Sequence, residues 1–448
     1  MGCACLRCRR SRLVSGAMSE DETDGRASRK TLPLAAQILI GLAVGAIVGL
    51  LLPAAGRSEG VDRTVAALGL GGRLWLQALQ MTILPLVFAL LTTLFIRSKG
   101  LGGGGRTTRR ALVTIFALYT MGVFVGLGAS YALLGAFPVT GDMAVSMRAM
   151  AGEGVPPETL PWADAVLSLV PSNVVAAMAG GSLLPVLVFA LVFGAALASL
   201  EESEGKRLLA AGLTTLGDVM FTIVGWVLKL APIGVALLIL PTVQAHGADI
   251  FAGLAHWIAL SVSMVLSVLA ATYLVAITVG RVPLGRFQSA LFPAQSVAFG
   301  TQSSTGTMPV TMTSCREMGL SEQAVAATMP LAAVIFRVVA PAAAIFTSLY
   351  AAQVYDLGPL PVLLVIGIGF LGAIMEMSFV GVPGAATFVA FYSPLAAVVG
   401  FPIEFIVVLL VVETIPDIFK TVLSVTGHAT ATAIVDRGVE REAGAEAA

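Results

Sequence analysis

The chain has 448 residues, of which 57% are hydrophobic and only 12% are charged. With a mean hydropathy of +0.93, this composition excludes an ordinary soluble domain and predicts a polytopic membrane protein. The 26 basic and 26 acidic residues balance, so no net field points to a nucleic acid partner.

The first 31 residues are polar and of mixed charge, without the apolar core of a signal peptide. We expect them to form a disordered cytoplasmic leader, with Met18 as an alternative start to Met1. Residues 32–436 are predicted to form a single membrane domain, and residues 437–448 a cytoplasmic tail.

Apolar segments long enough to cross about 30 Å of hydrocarbon recur along this domain. The basic loop 97–110 contains no acid, so the positive-inside rule places it in the cytoplasm, and with eight spans both termini lie there too. The candidate spanning helices cover about residues 32–53, 74–97, 109–135, 165–199, 208–240, 252–280, 322–353 and 403–434, and the fourth is interrupted by Gly180-Gly181 and Pro185.

Two further apolar segments, about residues 286–315 and 361–402, differ from simple spans. The first has a hydroxyl-rich centre at 299–309, and the second is broken by Gly381-Val382-Pro383-Gly384. Backbone released from helical bonding at membrane depth must be buried in protein or line a cavity. Both segments are therefore predicted to be re-entrant hairpins of an all-α inverted repeat, with the substrate between their tips. Ordinary membrane kinks are the alternative.

A polar stripe follows the last predicted helix. Glu413, Asp417, Lys420, Ser424 and His428 fall at i, i+4, i+7, i+11 and i+15, which is one helical face. This stripe is predicted to face a cavity. The alternative is a helix end in the membrane interface, where Lys420 and His428 only snorkel.

The first hairpin tip, Ser303-Ser304-Thr305-Gly306, offers short donors and released amides that suit a carboxylate. The second tip offers similar amides. Asp417 would then suit an ammonium group and Lys420 a second acidic or polar group, because unpaired charge in such a site is costly. The alternative is that both tips are only tight turns.

Enzyme signatures are missing from the sequence. It contains no His-Glu-x-x-His, no Gly-x-Ser-x-Gly and no Cys/His cluster with metal spacing, and it has only three histidines. We therefore expect no enzyme activity, no resident metal and no cofactor.

Eight short motifs resemble, in order, those of the dicarboxylate/amino acid:cation symporter family, the glutamate transporter homologues, over about residues 32–436. They lie at residues 84–88, 170–173, 184–185, 231–235, 303–312, 317–319, 381–384 and 425–427. The resemblance implies a homotrimer that works as an elevator. A scaffold, mainly in residues 32–280, would hold a mobile domain with the hairpins and the substrate-binding core in residues 286–434.

The resemblance also implies site residues. In such members the serines of the first hairpin bind the α-carboxylate, the last-helix aspartate binds the α-amino group, and the second hairpin is a gate. The substrate site would comprise Gln302, Ser303, Ser304, Thr305, Val382, Gly384, Asp417, Lys420, Thr421 and Ser424. Lys420 stands where acidic-substrate members usually have arginine, and lysine lacks the bidentate fork. Some members have an arginine in the first hairpin where Gln302 stands, so specificity for acidic substrates is left open.

The cation sites depart further from the family pattern. The family's Asn-Met-Asp-Gly-Thr aligns with Phe336-Arg337-Val338-Val339-Ala340. Other ligands of the family become Ser424, His428 and, in the second hairpin, Phe379. Sodium needs several oxygen ligands and few remain, so the sodium sites are interpreted as degraded at Phe336, Val338, Phe379, Ser424 and His428.

Our hypothesis is that Arg337 supplies in covalent form the charge that sodium brings elsewhere, and neutralises Asp417 or Glu376. The alternative is a structural pair in a relic site. Coupling could instead pass to protons carried by His428, Glu376 or Glu413, or transport could be an uncoupled exchange.

Together these features predict a secondary active transporter of an acidic or polar amino acid in the plasma (inner) membrane, in contact with lipid. The alternative within the class is a C4-dicarboxylate carrier, which Asp417 disfavours because it adds negative charge. From another class, a non-transporting sensor or an anion channel could use the same fold.

Overall fold

The computed structural model describes residues 34–52, 58–100, 106–151, 170–179, 183–246, 249–377 and 384–446. Regular structure in these ranges is entirely α-helical. In the first half, the helices are α1 Leu34–Leu51, α2 Glu59–Gly100, α3 Arg106–Ala136, α4 Gly141–Ala151, α5 Val174–Ala179, α6 Leu183–Ser199, α7 Glu204–Lys229, α8 Ala231–His246 and α9 Asp249–Thr278. The second half contains α10 Leu284–Thr301, α11 Met308–Glu317, α12 Glu322–Ile335, α13 Val339–Val354, α14 Val362–Glu376, α15 Gly384–Val399, α16 Ile403–Val412 and α17 Thr414–Glu446.

Several predicted features lie outside the described residues. These are the leader 1–31, with Met1 and Met18, and the second hairpin tip, with Phe379 and Val382. The expected tail, residues 437–448, is helical as far as Glu446 because α17 continues to that residue. Helix α4 was not anticipated from the sequence.

Four helical segments in the described part of the chain are long and apolar enough to cross a bilayer. They are Arg106–Ala136, Glu204–Lys229, Phe251–Thr278 and Thr414–Val439. The most apolar part of the last is 78% buried, against 17% for Glu204–Lys229. The last helix therefore runs through the protein interior, while α7 lies at its periphery.

The helices pack in two groups. Helix α2 packs against α6, α7 and α8, and α1 packs against α8. Helices α3, α9, α10 and α12 surround α17, and α13 packs on α3 and α14. The second group holds the first hairpin and the polar stripe, so it contains the candidate site, and α15 packs against helices of both groups.

Helix α1 approaches α8 through small residues. Gly41, Gly45 and Gly49 recur every four residues, and a Cβ atom at Gly45 would lie 2.5 Å from the carbonyl oxygen of Ala236. A spacing of this kind lets two membrane helices come into backbone contact. These three glycines therefore let α1 pack closely against α8, in the group that also contains α2, α6 and α7.

Three of the spans that were predicted to be continuous, 208–240, 322–353 and 403–434, are interrupted, which corrects that expectation. The interruptions lie at Leu230, at residues 336–338 and at Glu413. Each is followed by a proline in the first turn of the next helix, Pro232, Pro341 or Pro416. Proline has no backbone N–H to donate to the carbonyl group four residues earlier, and its ring clashes with that carbonyl group. At Pro341 this carbonyl is that of Arg337, which instead accepts from the amide of Ala340 at 2.9 Å.

Both segments that were predicted to be re-entrant hairpins contain two helices that pack against each other. Helices α10 and α11 pack against each other around a turn at residues 302–307, and α14 and α15 also pack together. Gly384 begins α15. A buried network fastens the first hairpin to its neighbours, because Gln295 Nε2 donates to Tyr273 Oη at 2.7 Å and to Thr426 Oγ1 at 2.9 Å.

Candidate functional site

The tip of the first hairpin is a compact turn of hydroxyl residues. Gln302 ends α10 with a left-handed φ of 52°. Ser303 Oγ accepts from the amide of Gly306 at 3.0 Å, and Thr307 Oγ1 donates to the carbonyl of Ser303 at 2.7 Å. These bonds fix the backbone in a shape that presents Ser304 and Thr305 at the end of the hairpin.

This tip lies against the interruption in the last spanning segment. Gln302 Nε2 donates to the carbonyl of Thr414 at 3.4 Å, and Asp417 follows one turn later. Ser304 is only 5% exposed. Among the described residues, neither its hydroxyl nor the carboxylate of Asp417 has a hydrogen-bond or ion-pair partner. An acceptor and a donor are thus both left for a ligand.

Lys420 forms a buried ion pair with Glu413. Its Nζ lies 2.6 Å from Glu413 Oε1, and both side chains are about one-tenth exposed. The ammonium also lies 5.8 Å from the ring centroid of Phe388 and 6.0 Å from that of Tyr392, distances at which cation–π attraction acts. Lys420 therefore packs between the interruption at Glu413 and the second hairpin, and a substrate would have to compete with Glu413 for it.

Arg337 forms a second ion pair. Its Nε lies 3.2 Å from Oε1 of Glu376, the last residue of α14. The Glu376 side chain is 11% exposed and that of Arg337 is 33% exposed. Of the two partners considered from the sequence, the structure pairs Arg337 with Glu376, and its charge also acts on Asp417.

The backbone at the 336–338 interruption is bonded by side chains from other helices. Tyr119 Oη donates to the carbonyl of Ile335 at 2.7 Å and accepts from the amide of Arg337 at 3.3 Å. His428 Nε2 lies 2.8 Å from the carbonyl oxygen of Phe336. A carbonyl only accepts, so Nε2 is the protonated nitrogen. The other nitrogen of His428, Nδ1, is buried without a partner among the described residues.

Apolar side chains fill the rest of this interruption. Phe336 and Val338 are both buried, and Phe336 packs edge-on against Tyr119 with ring centroids 5.1 Å apart. Gly427 brings the last helix close, because a Cβ atom there would lie 3.0 Å from Val338 Cγ1. The two carbonyls thus already accept from Tyr119 and His428, and the side chains at 336 and 338 offer no oxygen.

Hydroxyl groups of the last helix are bonded to the backbone of that helix. Thr421 Oγ1 donates to the carbonyl of Asp417 and Ser424 Oγ to that of Lys420, each at 2.8 Å. In the described ranges, no group of three His, Cys, Asp or Glu side chains is placed to hold a metal ion.

The acidic and basic groups in the site are unequal in number. Arg337 and Lys420 face three carboxylates, those of Glu376, Glu413 and Asp417, and these groups interact electrostatically. Two of the carboxylates are paired with the two cations. Asp417 is the third, so by formal count, with all five groups ionised and histidine neutral, the acidic groups of the site exceed the basic ones by one.

Some of these contacts could not be foreseen from the sequence. Tyr119 lies 216 residues before its partner Ile335. Phe388 and Tyr392 form part of an apolar stretch in the second hairpin. In the sequence, Pro341 and Pro416 are the residues that could have predicted the interruptions at 336–338 and at Glu413.

Residues 34–438 match the model of the sodium:dicarboxylate symporter family. The chain belongs to this family. The match covers nearly the whole membrane domain and confirms the family predicted from the eight motifs. The sodium:dicarboxylate symporter family consists of transporters. Together with the apolar helices of this chain, membership of the family indicates a multi-pass membrane protein.

Several relatives are similar to this family member. An uncharacterized symporter of Haemophilus influenzae is 26% identical over an alignment of 429 residues, which covers 91% of this chain and 94% of the relative. C4-dicarboxylate transport proteins of Anaeromyxobacter sp. (strain K) and Anaeromyxobacter dehalogenans are each 29% identical over 298 residues. Those alignments cover 66% of this chain and 65% of each relative.

Proposed function

We propose that this symporter-family protein is a secondary active transporter of an amino acid across the plasma membrane. The main support for the proposal is the carboxylate of Asp417, which has no described hydrogen-bond or ion-pair partner and lies near two ion pairs, Arg337–Glu376 and Lys420–Glu413. An α-ammonium group would neutralise the excess negative charge there. The hydroxyl of Ser304 and the amides of the first tip would bind the α-carboxylate.

The competing substrate is a C4-dicarboxylate, the substrate class in the names of the Anaeromyxobacter relatives. A dicarboxylate brings two negative charges and no ammonium to a site that already has an excess negative charge. Equilibrium binding of aspartate, serine and succinate to purified protein would separate the substrates. Binding of succinate that is as tight as that of either amino acid would contradict the proposal.

We infer that Arg337 takes over the electrostatic role of a bound sodium ion. Three features support this role: its pairing with Glu376, its action on Asp417, and the carbonyls of Ile335 and Phe336 that already accept from donors. Uptake into proteoliposomes should therefore proceed in sodium-free medium. Strict dependence on a sodium gradient would contradict this role.

Of the candidate proton carriers Glu413 and His428, Glu413 has the more suitable surroundings. Its Oε2 is buried without a partner among the described residues, while Oε1 accepts from Lys420, so a proton on Oε2 would remove a buried charge. In contrast, a second proton on the buried Nδ1 of His428 would create a positive charge beside that of Arg337. If Glu413 couples transport to protons, Glu413→Gln should abolish proton-driven accumulation and preserve exchange of internal for external substrate. Loss of both processes would argue against it.

An elevator motion of a homotrimer is part of the proposal. The division into a peripheral group (α1, α2 and α5–α8) and a group around α17 supports a scaffold with a mobile domain. The protein mass within the detergent particle, measured by light scattering with the bound detergent subtracted, should be three times the chain mass of 46.0 kDa. Substrate-dependent flux against a gradient would reject both the sensor and the channel alternatives.

A further inference from the structure

The two cations of the candidate site differ in their position relative to Asp417. Lys420 follows Asp417 by three residues on α17, so the two side chains lie on one face of that helix. Arg337 lies at the interruption between α12 and α13. Both cations act electrostatically on Asp417, Lys420 more strongly than Arg337. Lys420 is therefore the cation best placed to reach the side chain of a substrate that is bound at Asp417.

An internal acid already binds this lysine. Lys420 Nζ donates to Glu413 Oε1 at 2.6 Å, and both residues are buried. A short hydrogen bond between two ionised groups is among the stronger contacts in proteins. A ligand that took Lys420 away from Glu413 would leave a buried carboxylate without its cation, which is costly.

Two aromatic rings lie against the ammonium group of Lys420. The centroids of the Phe388 and Tyr392 rings, both on α15, lie 5.8 and 6.0 Å from Nζ and 4.6 Å from each other. Both rings are buried, and they attract the cation through their faces. Lys420 is thus held by Glu413 and by an aromatic wall, and its charge is compensated within the protein.

Arg337, the other cation of the site, is paired as well. Its Nε lies 3.2 Å from Glu376 Oε1. Among the described residues, both cations of the site therefore already have a carboxylate partner. A carboxylate on the substrate side chain would have to displace one of these acids or stay unpaired, and an unpaired buried charge is costly. A cation on the side chain would be repelled by Lys420.

Given the proposed function, on which this inference rests, we propose that the substrate is an α-amino acid with an uncharged side chain. Glu413 sets this preference because it holds Lys420 away from the substrate. The α-ammonium group pairs with Asp417 and the α-carboxylate with Ser304, so a neutral side chain needs no further ion pair. Aspartate keeps the ammonium group, so it binds more weakly than a neutral amino acid but more tightly than succinate.

The test compares asparagine with aspartate, which have nearly the same shape and differ by one charge. Isothermal titration of the purified full-length protein should give a Kd for asparagine at least about tenfold below that for aspartate. Glu413→Gln keeps the shape of the residue and leaves Lys420 without its acid. In this variant, affinity for aspartate should rise at least about tenfold relative to affinity for asparagine. Misfolding cannot produce such a gain.

The double variant Glu413→Gln with Lys420→Met is the control. It removes the released cation as well, so the preference for asparagine should return. Aspartate that binds the unmodified protein as tightly as asparagine, an unchanged ratio of the two affinities in Glu413→Gln, or the same ratio in the single and double variants would each overturn the inference and leave the pairing at Asp417 in place. Succinate that binds more tightly than both amino acids would instead contradict the proposed function itself.

Discussion

Arg337 Nε lies 3.2 Å from Oε1 of Glu376. The pair joins the interruption between α12 and α13 to the end of α14, the first arm of the second hairpin. Glu376 is mostly shielded from water, so loss of either partner should cost more than it would at an exposed pair. This contact places a fixed cation beside the carboxylates of the candidate site.

Replacing Arg337 with methionine should weaken binding of the substrate. The change leaves Glu376 without its cation and adds a second uncompensated negative charge near Asp417. Loss of a hydrogen-bonded charged group costs about 1.5–3 kcal/mol, which corresponds to a rise in Kd of about 10- to 100-fold. Isothermal titration with the preferred amino acid measures this change. Unchanged affinity would show that Arg337 is only a structural partner.

A double variant serves as the control. Arg337→Met combined with Glu376→Gln removes both charges of the pair and should recover part of the lost affinity. The two residues are in contact, so their effects should be non-additive. If the double variant binds more weakly than the sum of the single losses predicts, charge compensation is the wrong explanation.

Replacing Asp417 with asparagine should discriminate between the two substrate classes. The change keeps the shape and removes the charge that would pair with an α-ammonium group. Affinity for an amino acid should fall about 10- to 100-fold, as for other charge-assisted hydrogen bonds. Affinity for succinate should stay equal or rise, because one repulsive charge is removed. Equal losses for both ligands in a competition assay would remove Asp417 from its proposed role.

Local sequence patterns predicted the parts of the site that depend on short spacing. The hydroxyl-rich turn at 303–306 and the stripe from Glu413 to His428 both follow from neighbours along one chain segment. The interruption at 336–338 was missed, although Pro341 provides its physical cause. Proline alone does not decide such cases, since Pro293 and Pro330 lie inside helices.

Tertiary contacts determined the rest of the site. The sequence could not show whether Lys420 would face a ligand or an internal acid. The pairing of Lys420 with Glu413 depends on the helix interruption at Glu413 and on the Phe388 ring of the second hairpin, which packs against the lysine. Likewise, the donors to the carbonyls of Ile335 and Phe336 come from α3 and α17. No periodicity within one segment contains that information.

Replacing Lys420 with methionine should destabilise the folded protein. The change leaves Glu413 as a buried, uncompensated carboxylate, and breaking one side of a buried pair costs about 3–5 kcal/mol. The melting temperature, measured by fluorescence in detergent without substrate, should fall markedly. Adding Glu413→Gln should restore most of the stability. A double variant as unstable as Lys420→Met would mean that packing of the lysine stem, not charge, is responsible.

Replacing His428 should show whether this residue acts as a hydrogen-bond donor to the carbonyl of Phe336 or as a proton carrier. His428→Leu leaves the buried carbonyl of Phe336 without this donor and should cost about 1–3 kcal/mol of stability. His428→Gln keeps an N–H donor and should cost less. Because Nε2 already donates to Phe336, neither variant should change the pH dependence of uptake between about pH 5.5 and 7.5, the range in which histidine commonly titrates. A shifted uptake profile in His428→Gln would restore histidine as a proton carrier.

Replacing Gly45 with alanine tests the contact between α1 and α8. The added Cβ atom would lie 2.5 Å from the carbonyl oxygen of Ala236, so the two helices must move apart. Overpacking of this kind costs about 1–3 kcal/mol, and the melting temperature should fall. Gly128→Ala is the matched control, since a Cβ atom there meets nothing within 4 Å. The control should be neutral or slightly stabilising, because alanine favours helix over glycine by about 1 kcal/mol. Equal melting temperatures for the two variants would mean that the glycine stripe does not set the distance between α1 and α8.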